Sequence, residues 1–139
     1  MVKRTITYKV VTAIYRVTKT FPEEEKFGIV SQIRRSAVSV PSNIAEGAAR
    51  NSKREFKNFL YVALGSLSEL DTQLTIAKNI GYSKDECIFQ RIESIKKMIL
   101  GLIRFLTSRI TTDHFLLFTT YVSRFTELHR ANSLLEEEE

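Results

Sequence analysis

Residues 52–82 read SKREFKNFLYVALGSLSELDTQLTIAKNIGY. Their apolar positions decide the fold. Phe56, Leu60, Ala63, Leu67, Leu70, Leu74 and Ala77 recur at alternating steps of four and three, which puts one apolar seam on a helix. Ser52 and Glu55 form a capping box at the start. Asn79, Ile80 and Gly81 form a stop, with Gly81 free to adopt the left-handed conformation.

The same grammar extends in both directions. Downstream, Ser83 and Glu86 read as another capping box, followed by Ile88, Ile92, Ile95, Ile99, Leu102 and Leu106. This helix should end near Arg109. Upstream, Ile6, Val10, Ala13 and Val17 define a first helix over about residues 5–18. Pro22 and Glu23, Glu24 and Glu25 suit the first turn of a second helix, by fixed φ and by favourable charge at the dipole's positive end. That helix should run to about Ala49 on Phe27, Val30, Ile33, Ala37, Ile44 and Ala48.

Pro41 interrupts the second helix and allows two outcomes. The helix kinks, or it ends near Val40 and restarts with Asn43 and Glu46 as a cap-like pair. The apolar phase continues past the proline, which favours the kink.

Short links make successive helices antiparallel neighbours. The expectation is all-α: an up-and-down antiparallel four-helix bundle over residues 1–109, its second helix kinked at Pro41. Residues 110–139 form a C-terminal extension, read as an amphipathic helix or a strand with a frayed acidic end. Apolar residues off the seams (Phe59, Val62, Leu64, Ile76, Phe89, Ile103) favour self-association. Gly65, Ser66 and Ser68 suggest a close helix–helix approach.

Composition agrees with a soluble domain: 43% hydrophobic and 27% charged, with five Gly and two Pro in 139 residues disfavouring a turn-rich β fold. No stretch reaches the apolar length of a membrane span and no secretory signal is evident, so the expected location is cytoplasmic. A lone Cys87 is consistent with a reducing compartment. Residues 1–109 hold 19 basic and 10 acidic side chains, net +9, whereas residues 110–139 carry −4. A basic body is a prior for polyanion contact.

Arg34, Arg35, Arg50, Lys53, Arg54 and Lys57 flank the proline block. On one face they would bind RNA or DNA phosphates with strong salt dependence. The alternative is a solvated face with local pairs such as Glu46 with Arg50. Asn43, Glu46, Ser66 and Glu69 are candidates for an inter-helix polar network.

Catalysis is disfavoured. The two histidines, His114 and His129, lie in the tail, and with one cysteine they make no zinc set. Glu69 and Asp71 point to different faces, and no Walker loop, nucleophile elbow or Glu-x-x-His repeat is present. No cofactor is expected.

Several blocks resemble the bacterial 23S rRNA intervening-sequence proteins. They are Phe21-Pro22 with Glu25, Gln32-Ile33-Arg34-Arg35, Pro41-Ser42-Asn43-Ile44-Ala45-Glu46-Gly47, Phe56 with Phe59-Leu60, Gly65-Ser66-Leu67 with Glu69-Leu70, and Gly81-Tyr82. The resemblance covers about residues 5–109. It implies a left-handed four-helix bundle, commonly a homopentamer with a central channel, whose long second helix passes through the proline. A related group partners reverse transcriptases in diversity-generating retroelements, where a basic pentamer contacts nucleic acid and the polymerase. This chain departs from the pattern in lacking the first-helix tryptophan and in its tail. Two readings follow: a non-enzymatic homo-oligomer binding RNA or DNA, or a structural adaptor gripping a protein partner through exposed apolar surface.

Overall fold

The computed structural model describes residues 2–83 and 85–108. The expected C-terminal extension lies outside them. Four α-helices make up the described chain: α1 (Val2–Val17), α2 (Ile29–Ala49), α3 (Lys53–Ile80) and α4 (Glu86–Thr107). Hydrogen bonds between neighbours fix the directions. Ser36 meets Gln73 and Ser39 meets Ser66, so the partner on α3 moves back as α2 advances. Lys78 pairs with Glu86 and Lys96 with Asp71, the same relation for α3 and α4. Arg34 reaches Thr18 beside the end of α1. The four helices run up and down as a bundle.

The α3 seam is buried as its spacing predicts. Leu60, Ala63, Leu67, Leu70, Leu74 and Ala77 are buried, with Phe56 half-buried against them. The Ser52 hydroxyl accepts from the Glu55 amide at 3.3 Å. At the other end Gly81 has φ 95°, and the Tyr82 and Gly81 amides donate to the Ala77 and Lys78 carbonyls. This closes the helix with a left-handed residue that glycine adopts without a Cβ clash.

Elsewhere the phase shifts. On α1 the buried residues are Thr7, Val10, Ile14 and Thr18, whereas Ala13 and Val17 are only half-buried. The stripe is rotated by about one residue because threonine can face the core when its hydroxyl is satisfied; that of Thr18 donates to the Ile14 carbonyl at 2.8 Å. On α4 the seam passes from Ile99 to Ile103, not to Leu102. The interval from Ile92 to Ile103 is eleven residues, the spacing of a nearly straight helix.

α2 begins later than the acidic run suggests. Glu23–Lys26 form a 3₁₀ turn, and α2 starts at Ile29, whose amide donates to Glu25 Oε2 at 3.2 Å. Phe27 therefore falls in the connection and is 89% exposed, and Ala48 is also exposed. α2 then runs without interruption through Pro41. A restart capped by Asn43 and Glu46 does not occur; both sit inside the helix. The start of α4 also differs from expectation. Asp85 caps it, with Oδ1 accepting from the Cys87 amide at 3.0 Å, while Ser83 accepts from Asp85. An aspartate nearer the first turn supplies the same acceptor plus a favourable charge.

Two connections are pinned together. Tyr82 packs on Phe21 with ring centroids 5.6 Å apart, and its hydroxyl donates to Glu25 Oε1 at 3.3 Å. Partial desolvation, followed by the Glu25 carboxylate, raises the phenol pKa above its ordinary 10.0. The folded state thus holds this proton more tightly than the unfolded chain. The stabilisation is complete below the ordinary tyrosine range and is lost as pH rises through the folded value. Urea denaturation at mildly and at strongly alkaline pH should show the stability gap between wild type and Tyr82→Phe shrinking as pH rises. A gap constant with pH would contradict the assignment.

Candidate nucleic-acid interface

The six basic residues separate into two groups. α2 is one rod rising about 1.5 Å per residue, so Arg34 and Arg35 stand roughly 22–24 Å along its axis from Arg50. Pro41 does not fold these ends together, and the expectation of a single cluster beside it is corrected.

Two of the six are already engaged by neighbours within the chain. Arg34 donates from Nε to the Thr18 hydroxyl at 2.9 Å, and its guanidinium lies 4.8 Å from the Tyr15 ring centre. It ties α2 to α1. Arg50 donates from Nη2 to Glu46 Oε1 at 2.8 Å and covers the Phe59 ring at 5.3 Å. Arg35, Lys53 and Arg54 are exposed, and Lys57 is half-buried. None of these four has an ion-pair partner among the described residues. Lys53, Arg54 and Lys57 share the first turns of α3, with Lys57 one turn beyond the other two.

The placement of Lys53 and Arg54 opposes helix electrostatics. The amino end of a helix carries partial positive charge, and a cation there costs about 0.3–1 kcal/mol where an acid would gain it. Only Glu55 offsets them in that turn. First-turn amides lacking intrahelical acceptors, joined by free cations, form a surface that attracts anions.

The polar candidates also divide. Asn43 Nδ2 donates to the Ser39 carbonyl at 2.8 Å and to its hydroxyl at 2.9 Å. The Ser39 and Ser66 hydroxyls are 2.9 Å apart across the α2–α3 interface. One turn away, the Ser36 hydroxyl donates to Gln73 Oε1 at 2.9 Å, and Gln73 Nε2 donates to Glu69 Oε1 at 3.0 Å. Asn43, Ser66 and Glu69 therefore belong to a polar seam. Glu46 does not: it is exposed and serves Arg50. Sequence reasoning missed Ser36, Ser39 and Gln73. A signal existed, because Ser36, Ser39 and Asn43 are spaced three and four, and Ser66 and Gln73 seven. Every buried side-chain nitrogen and oxygen among the described residues has a partner, those of this seam included.

The small-residue approach holds at Ser66, which meets Ser39 across the α2–α3 interface, and not at Gly65. Gly65 faces open space. The close contact is at Gly47, where a Cβ would lie 2.5 Å from Phe59 Cβ and 2.9 Å from Phe56 Cδ2. Among the described residues no cluster of His, Cys, Asp or Glu could hold a metal, and no helix is long and apolar enough to cross a membrane.

No curated protein matches this chain. One solved structure similar to it is the crystal structure of a protein of unknown function from the S23 ribosomal protein family of Bacteroides thetaiotaomicron. It has 26% identity and a TM-score of 0.68, covering 74% of this chain and 96% of that one. The match to the 23S rRNA-intervening sequence protein family spans residues 5–101, which includes all of the first three helices but the start of α1, and most of α4. With the bundle, the through-running α2 and this match agreeing, the chain belongs to the 23S rRNA-intervening sequence protein family.

Proposed function

We propose that the protein is a non-enzymatic, homo-oligomeric nucleic-acid-binding bundle that contacts RNA or DNA phosphates at the α2–α3 corner. The observation carrying this reading is the set of Lys53, Arg54 and Lys57, without ion-pair partners among the described residues and placed where the helix dipole disfavours them. Cations kept against their local electrostatic cost suit an external anion. Arg50 supports the corner's scaffold, and Arg34 ties α2 to α1 at its far end, instead of contacting phosphate. Recognition would follow charge and shape, since no base-reading motif is present.

Self-association is the second part of the proposal. Tyr61, Val62, Ile76 and Ile80 are each about half exposed on α3, and Gly65 lies among them with nothing opposite. A second copy would cover this face, and the family resemblance makes five copies the number to test. The competing adaptor reading uses the same face for a different protein.

Retention of labelled RNA and DNA across a salt series tests the proposal, with sedimentation on the same samples. Lys53→Ala/Arg54→Ala should weaken binding several-fold and flatten the salt slope by roughly 0.7–0.9 per lost contact. Arg34→Ala/Arg35→Ala should lose less, through Arg35 alone. Equal retention by wild type and the corner variant would remove the corner from the interface. Absence of any retention by a sedimenting oligomer would favour the adaptor.

A further inference from the structure

A groove of about 370 Å³ runs between α1 and α4, lined by Tyr8, Lys9, Thr12, Ala13, Arg16 and Arg91. Three of its six lining residues are cations and none is an acid. None of the three cations has an ion-pair or hydrogen-bond partner among the described residues. This is not how the bundle treats its other inter-helix cations: Lys96 is held by Asp71 at 2.7 Å, and Lys78 by Glu86. The whole of α1 contains no acidic residue and four basic ones, Lys3, Arg4, Lys9 and Arg16.

The geometry points to a second phosphate-binding site in this groove, whose occupant is the backbone of a nucleic-acid strand. Lys9 and Arg16 are two helical turns apart on one face, about 10.5 Å along the axis, which suits two phosphates along a strand better than one small anion. Arg91, half-buried, lines the same groove from α4, and a guanidinium can grip a phosphate through two N–H groups. The Tyr8 ring, 50% exposed at the groove, offers a surface for stacking a base. Three converging like charges repel one another, and a bound strand relieves that repulsion. The site rests on the nucleic-acid reading above but not on the α2–α3 corner.

The test is fluorescence anisotropy with a labelled single-stranded RNA over roughly 50 to 200 mM salt, on the full chain. Wild type is compared with Lys9→Gln/Arg16→Gln/Arg91→Gln and with the corner variant Lys53→Ala/Arg54→Ala, each checked for helicity and melting. Loss of three contacts, at about 0.7 each, should flatten the log–log salt slope by about 2 and weaken binding at least tenfold. Should the triple variant fail to fold, Lys9→Glu/Arg16→Glu changes only exposed positions and should weaken binding at least as much. A groove variant that binds like wild type while the corner variant loses affinity overturns the groove and leaves the function standing. Displacement of the RNA by an equal concentration of mononucleotide also overturns it, by making a free phosphate the ligand. A wild type that binds no RNA overturns both readings together.

Discussion

Gly47→Ala is expected to destabilise the bundle by about 2 kcal/mol, although alanine is the better helix former by about 1 kcal/mol. The new methyl would sit 2.5 Å from Phe59 Cβ and 2.9 Å from the Phe56 ring. Phe59 Cβ is fixed to the α3 backbone, so no rotamer change relieves the contact; α2 and α3 must separate. Overpacking of this kind costs about 1–3 kcal/mol, and occasionally more, when the neighbour cannot yield. The upper part of that range, less the gain in helix propensity, leaves the net loss stated. Gly101→Ala is the matched control. Gly101 has open space where its Cβ would go, so only the propensity term acts, and the variant should be more stable by about 1 kcal/mol. Urea denaturation of both variants checks the pair. A Gly47→Ala protein as stable as wild type would show that the helices are not held this closely.

This glycine marks the limit of what the sequence discloses. The seam on α3 is legible because leucine and alanine at steps of four and three admit one helical face, and burial follows that face from Leu60 to Ala77. The caps at Ser52 and Gly81 are legible because each residue type has one dominant use at a helix end. Polar residues on a buried face are harder. Thr7, Thr18, Ser36 and Gln73 are all buried, and hydrophobicity alone cannot find them, because their burial depends on partners supplied by the fold. The acidic turn before α2 departs from its sequence pattern in the opposite sense. Its charge suits a helix start, but Glu25 uses its carboxylate to receive the Ile29 amide, and the helix begins there. The basic residues were legible as a group in sequence only. Closeness along the chain becomes separation once α2 runs as one helix from Ile29 to Ala49, and Arg91 is brought to the groove that also holds Lys9 and Arg16, 82 and 75 residues earlier.

Leu67→Ala should be the more damaging substitution, at about 2.7–5 kcal/mol. Leu67 is 1% exposed and sits mid-seam on α3, the helix against which α2 packs most extensively and α4 also packs. Removing its isopropyl group loses the transfer energy of burial and leaves a cavity that rigid helices on either side cannot collapse into. For a domain of this size that loss should lower the melting midpoint by roughly 10 °C or more. Phe27→Ala supplies the contrast. The phenylalanine is larger and equally apolar, yet it is 89% exposed, so its loss should fall within about 0.5 kcal/mol. Thermal melts at two protein concentrations separate packing within the chain from packing between copies. A concentration-independent loss at Leu67 locates its partners in the same chain, whereas a loss at Phe27 that grows on dilution would place that ring in an oligomer interface. A Leu67→Ala variant that melts with wild type would mean that the seam is not what excludes water from the bundle, and the positions assigned to every surface cation would fall with it.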